Sequence, residues 1–150
     1  MFPDLRVMMG LRRNTAISLC ALGFCLASCQ TAPRHQFPAP SADWQVRTGQ
    51  LAYTDAKLSL IGEVLVRSSK NGDFELTFTK AGGVTLLTLR QDAQFGQIEG
   101  PLARGRWTGR IAEAPPRFRG WFQLRDKIVN AHRMTTVRHE AGAQSFTLRF

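Results

Sequence analysis

Cysteine is missing from most of this chain, since Cys20, Cys25 and Cys29 lie near its front and residues 30–150 contain none. A domain formed by those later residues can have no disulfide, no cysteine-ligated metal and no thiol nucleophile. Its stability therefore has to come from a hydrophobic core. Acidic residues are also scarce: 20 Lys and Arg face 11 Asp and Glu, which gives a net charge of +9.

No apolar run in the sequence is long enough to cross a membrane. The run over residues 16–27 has 12 positions, whereas a helix that spans a bilayer needs about 20. A membrane anchor or a buried helix is the alternative interpretation. Because Arg12 and Arg13 precede the run and small residues follow it, the segment is typical of a secretory signal.

The residues Leu26-Ala27-Ser28-Cys29 end this run, and they resemble the lipobox of bacterial lipoprotein signals. The resemblance implies that residues 1–28 are removed and that Cys29 becomes a lipidated N-terminus. Two or more acyl chains hold a protein stably on a membrane. The position after the lipid is Gln30 rather than Asp, which favours the periplasmic face of the outer membrane.

Beyond the signal, the chain divides into a tether and one domain. Residues 29–42 are expected to form a flexible lipidated tether, because three prolines interrupt this short stretch. Residues 43–150 are enough for one small domain with its own core. Removal of residues 1–28 would take away three basic residues and one acidic residue and leave a net charge of +7.

Most of this domain alternates between apolar and polar residues. Phe74, Leu76 and Phe78, for example, alternate with polar residues, as in half-buried antiparallel strands. Asn71-Gly72 and Gly82-Gly83 are turn signals between such runs. The predicted strands cover residues 45–54, 57–67, 73–80, 84–90, 93–99, 102–108, 128–138 and 144–150.

One segment breaks this alternation. Pro115-Pro116 and several arginines predict a loop that is followed by a short helix over residues 118–124. A meander of seven or eight strands tends to curl. The predicted fold is therefore mainly β: an antiparallel meander curled into an incomplete (half) β-barrel with a short helical lid.

The strand pattern over residues 47–100 resembles the first half of the LolB family, the outer-membrane acceptors of bacterial lipoprotein sorting. The resemblance is carried by Gly49-Gln50-Leu51-Ala52-Tyr53, by the turn at Gly82-Gly83 and by the apolar strand that follows. It implies an apolar cavity that binds acyl chains of other lipoproteins, received from a periplasmic carrier, with no enzymatic step. The chain departs from the family at Gly82, where a membrane-inserting leucine is expected, and in its shorter second half.

The implied cavity would be bounded by apolar strand faces, which could equally pack as an ordinary core. Sequence alone does not separate these two alternatives. The residues expected to line the cavity are Leu51, Tyr53, Leu60, Val64, Phe74, Leu76, Phe78 and Leu86.

Basic residues cluster between Arg104 and Lys127, and aromatic residues are interleaved with them. This pattern favours contact with anionic lipid headgroups, to which each basic residue contributes about 1 kcal/mol. A solvated charged face is the alternative, and an exported protein would not meet nucleic acid. The residues expected to contact headgroups are Arg104, Arg106, Arg117, Arg119 and Trp121.

Little in the sequence indicates an enzyme, a metal site or a cofactor. His132 and His139 are seven residues apart on one predicted strand, and this odd spacing points them to opposite faces. A hydrolytic site with Asp126 or Glu140 is a minor alternative. The second functional hypothesis is an anchored monomeric interaction module that serves a cell-envelope assembly and carries no lipid.

Overall fold

The computed structural model describes residues 35–131 and 133–150. Residues 36–150 form one compact unit. Cys29, the predicted signal and His132 lie outside the described residues, so the predictions made for them stay predictions. Part of the expected tether, residues 36–42, belongs to the compact unit.

Eight strands account for most of the regular structure of the described residues. They are β1 (Gln45–Thr54), β2 (Ser59–Ser68), β3 (Phe74–Lys80), β4 (Val84–Gln91), β5 (Phe95–Gly100), β6 (Gly105–Arg110), β7 (Thr136–Ala141) and β8 (Gln144–Arg149). They form one antiparallel sheet in the order β6-β5-β4-β3-β2-β1-β8-β7. Since β6 and β7 do not pair, the sheet is not closed, and the predicted open half-barrel is confirmed.

Within residues 35–131 and 133–150 there is one α-helix, α1 (Pro116–Asn130), which connects the two edge strands after a short 3₁₀ turn at Ile111–Glu113. Pro116 occupies the first helical position, where its missing N–H costs nothing. The buried side of α1 includes Phe118, Trp121 and Ile128. Trp121 follows Phe118 by three positions and Ile128 follows Trp121 by seven, so the three share one helical face, which packs on the sheet as the predicted lid.

This helix is longer than the sequence pattern predicted. Residues 128–130 were expected to begin a strand, but they complete α1, and β7 begins only at Thr136. The β-branched pair Ile128-Val129 favours a strand locally. Burial of Ile128 against the sheet overrides that preference, because the helical spacing from Phe118 and Trp121 continues to it.

A bulge between β3 and β4 decides which leucines of β4 face the core. Phe78 pairs with Leu87, whereas Thr79 pairs with Thr85, so Leu86 has no partner opposite it. Leu87 is therefore buried and Leu86 is only partly buried. In the part of the chain that the structure describes, no helix is long and apolar enough to cross a bilayer.

Candidate functional site

The inner face of the half-barrel is filled by the ring of Trp121 from α1. Its centroid lies 4.9 Å from the ring of Tyr53, 5.0 Å from that of Phe146 and 6.2 Å from that of Phe78. Only 2% of Trp121 is exposed. Gly120 allows this close approach, because a Cβ there would press against Gln144 and Phe146.

The residues expected to line a cavity are therefore mostly packed core. Leu51, Leu76 and Phe78 have no surface that solvent can reach. Tyr53, Val64 and Phe74 are also buried, while Leu60 and Leu86 are partly buried against the same cluster. Two spaces that could take a ligand lie at the edges of α1, and a shallower one of about 500 Å³ lies on β1, β2 and β3, where most of its lining is polar.

One such space, which we call the rim pocket, opens beside the first turns of α1 and has a volume of about 210 Å³. Its apolar walls come from the helix, from the middle of β4 and from the β5–β6 turn. The chain therefore brings apolar side chains from three separate segments to one opening. They are Leu87, Leu102, Ala103, Phe118 and Trp121, with the ring of Tyr53 beside them.

The mouth of the rim pocket carries three basic side chains, Lys57, Arg104 and Arg117, and one carboxylate, Asp55. Oδ1 of Asp55 accepts the backbone N–H groups of Lys57 (2.7 Å) and Leu58 (3.0 Å). These backbone bonds, foremost that of Lys57, lower the pKa of Asp55. The carboxylate is thus held ionised by its own loop.

A chain of polar contacts connects the floor of the pocket to the helix. The hydroxyl of Tyr53 donates to Oδ2 of Asp55 at 3.0 Å. Nε2 of Gln144 donates to the Tyr53 oxygen and to the carbonyl of Arg117, both at 3.0 Å. Burial raises the pKa of Tyr53, so the hydroxyl stays protonated and the network keeps one orientation.

The structure brings together three of the residues expected at lipid headgroups, since Arg104, Arg117 and Trp121 all line the rim pocket. Arg106 lies on β6, where it pairs with Glu99 at 3.5 Å, and Arg119 lines a different cleft. Trp121 corrects the expectation: its ring is buried against Tyr53 and Phe146 and cannot touch a headgroup.

That different cleft, of about 290 Å³, lies on another side of α1 and was not predicted. Gln91 borders it and is 1% exposed. Nε2 of Gln91 donates to the carbonyl of Phe122 at 2.9 Å, whereas Oε1 has no partner among the described residues. The sequence does contain an indication of this cleft: Gln91 is a polar residue at the position where the alternation of Leu87 and Leu89 predicts another apolar core residue.

Metal-ligating clusters and the surroundings of His139 can be described for this part of the chain. No group of three His, Cys, Asp or Glu side chains within residues 35–131 and 133–150 could hold a metal ion. Nε2 of His139 lies 3.0 Å from Oε1 of Gln123, and its ring stacks on Phe146 at 5.8 Å. The Nε2 atom of His139 thus contacts the side-chain amide of Gln123, and its ring contacts the ring of Phe146.

Neither a comparison with protein-family models nor one with curated proteins finds a match for this chain. The resemblance to LolB therefore stays a prediction from the strand pattern. The assignment of function depends on the geometry of the rim pocket and on the signal-like front of the sequence.

Proposed function

We propose that this protein is a lipoprotein anchored at the periplasmic face of the outer membrane through Cys29, and that its half-barrel binds acyl chains. The cargo would be lipoproteins or other lipids that are localised to that membrane, as in the LolB family. The observation that carries the proposal is the rim pocket, which is lined by apolar side chains beside the helical lid, with Leu102 the most accessible of them. Each buried methylene contributes about 0.8 kcal/mol, so no covalent step is needed.

The size of the rim pocket fits transient binding. Pockets for small molecules typically measure about 300–1,000 Å³, and this one has about 210 Å³. Because Trp121 fills the inner face, only part of one acyl chain would be buried, against Leu102 and Phe118. A site that buries part of a chain releases it easily to a bilayer, and a carrier that delivers lipid needs this property.

Photocrosslinking in cells tests the acyl site directly. Cells that express the full chain are fed a fatty acid with a diazirine on its tail, and crosslinked peptides are mapped by mass spectrometry. The proposal expects crosslinks at the peptides that contain Leu102 and Phe118. Leu102→Asp should remove them, while Ile61→Asp, at a side chain that is 69% exposed on β2, should not. Crosslinks that are absent, or that persist in Leu102→Asp, would count against the proposal.

The anchor is tested by its own experiment, because Cys29 lies outside the described residues. Radioactive palmitate should label the wild-type protein and leave Cys29→Ala unlabelled. The labelled protein should fractionate with the outer membrane, as Gln30 favours. Labelling of the alanine variant, or recovery in the inner membrane, would refute the anchor or its address.

The filled inner face favours a second candidate, an anchored interaction module that carries no lipid. In that case the exposed arginines around α1 would contact a protein partner of the envelope. A photoreactive residue at position 106 or 110 would then crosslink one dominant protein. The same experiment on an acyl carrier would give no single dominant partner at these positions.

A further inference from the structure

Arg104 is held in an unfavourable backbone conformation at the mouth of the rim pocket. Its φ angle is 55°, and it is the one described residue other than glycine with a positive φ. Arginine pays a steric cost there that glycine or asparagine largely avoids. Such strain often marks a residue that is kept for its function. The next residue also has a positive φ, of 122°, and there the residue is a glycine, Gly105. Position 104 thus carries an arginine in a turn whose other positive-φ position is occupied by glycine.

The side chain of Arg104 shares the mouth of the rim pocket with two other cations. Neither Lys57, Arg104 nor Arg117 forms a salt bridge within 4 Å with any described residue. The charge of Arg104 makes a small contribution to the lowered pKa of Asp55, but the hydrogen bonds of that carboxylate come from the Lys57 and Leu58 amides and from the Tyr53 hydroxyl. Three positive groups and one negative group leave an excess of positive charge at the mouth.

The positions of these cations relative to the apolar walls define the kind of ligand that fits. The guanidinium of Arg117 lies 4.6 Å from the centre of the Phe118 ring, so a charge adjoins an apolar wall directly. A volume of about 210 Å³ has no room for two chains side by side. A ligand with an anionic head and a single tail fits both parts of the pocket. The head would lie against the cations at the mouth, and the tail would lie along Leu102, Phe118 and Trp121.

We infer that the rim pocket selects a single-chain amphiphile with an oxyanion head, either the carboxylate of a fatty acid or the phosphate of a lysophospholipid. Arg104 and Arg117 bind the head, Lys57 adds charge at the mouth, and the tail reaches Trp121. This inference rests on the proposed acyl-binding function and adds to it the charge and the chain number of the ligand.

Brominated amphiphiles test this inference, because bromine quenches the fluorescence of a nearby tryptophan. The full-length chain is held soluble in a non-ionic amphipathic polymer and titrated with 11-bromoundecanoate, 11-bromoundecyl phosphate and the neutral 11-bromoundecanol. At least one of the two anions should quench saturably and bind about tenfold or more tightly than the alcohol. The stronger anion identifies the head. High salt should weaken binding of the anion and leave binding of the alcohol unchanged, because ions screen charge attraction.

Two arginine variants separate recognition from folding. Arg104→Asn and Arg117→Gln should each lower the affinity for the anion by about tenfold, while the affinity for the alcohol stays the same. Since asparagine tolerates a positive φ, Arg104→Asn should unfold at the same or a higher urea concentration than wild type, which a purely structural role would not predict. Arg106→Gln, at an exposed arginine on β6, is the matched control and should bind like wild type.

Each remaining outcome has a definite meaning. Equal binding of the anions and the alcohol overturns the head selectivity and leaves the acyl site intact. Absence of quenching by all three amphiphiles overturns both the inference and the proposed function. Wild-type anion affinity in Arg104→Asn and Arg117→Gln also overturns the inference, even if the anions remain preferred.

Discussion

Gly96 lies directly beneath the ring of Phe122, so close that a Cβ at position 96 would overlap with the ring carbons. Gly96 pairs with Gln91 across β4 and β5, and Nε2 of Gln91 binds the carbonyl of Phe122. Two contacts therefore hold α1 against the sheet here: the close packing of Phe122 on Gly96, and the buried hydrogen bond from Gln91. This place determines how closely α1 approaches β5.

The first prediction concerns this contact. Gly96→Ala should lower the free energy of unfolding by about 1–3 kcal/mol, because the added methyl group forces Phe122 away from the sheet. Urea denaturation followed by circular dichroism measures the loss. In a double-mutant cycle with Phe122→Leu, the two losses should sum to more than the loss in the double variant. Strict additivity would mean that the two residues do not press on each other.

A second prediction concerns Trp121, which fills the inner face of the half-barrel. Trp121→Ala should lower the free energy of unfolding by about 3–5 kcal/mol, since it leaves a large void beside Tyr53, Phe78 and Phe146. Val129→Ala, at a side chain on the same helix that is 45% exposed, should change it by no more than about 0.5 kcal/mol. A small effect at Trp121 would indicate that the interior has open space after all.

The sheet could be predicted from the sequence because its signals are local. The alternation from Phe74 to Phe78 and the glycine turns locate the strands, and β1 matches its predicted range, residues 45–54, at both ends. The pairing of β8 with β1 is a contact between distant parts of the chain, and no local pattern specifies it. The extent of α1 was underestimated for the same reason, because only packing against the sheet keeps Ile128 helical.

The candidate site was less predictable than the fold. Whether Leu51 or Phe78 borders a cavity depends on what fills the space opposite, and Trp121 fills it from a segment far along the chain. Arg104 and Arg117 were singled out for their charge, but nothing local indicated that they would share one opening. The strain at Arg104 is a property of the folded turn and cannot be derived from residue type.

A third prediction concerns Glu75, which is buried on β3 between two arginines. Its carboxylate lies 2.9 Å from Nη1 of Arg67 and 2.8 Å from Nε of Arg90, which occupy the facing positions on β2 and β4. Glu75→Ala should lower the free energy of unfolding by about 1–3 kcal/mol. The loss is smaller than for a fully buried ion pair, because both arginines remain partly solvated. Urea denaturation at low salt measures this loss.

The matched control for Glu75 is Glu99, whose partly exposed carboxylate lies 3.5 Å from Arg106 on the adjacent strand. Glu99→Ala should change the free energy of unfolding by less than about 1 kcal/mol, because water screens exposed ion pairs. Similar losses in the two variants would show that burial adds nothing to the contacts of Glu75.

The last prediction concerns pH and His139 on β7. Burial, with a smaller contribution from the charge of Lys127, lowers the pKa of His139 below its usual value of 6.5. As the pH falls through about 6.5, the unfolded chain therefore takes up a proton before the folded chain does, and stability decreases. His139→Gln should reduce the loss of stability between about pH 7.5 and pH 5, because one histidine that titrates in this range is removed. Urea midpoints at both pH values measure the difference, and equal losses in wild type and variant would show that the folded protein accommodates a charged His139 at no cost.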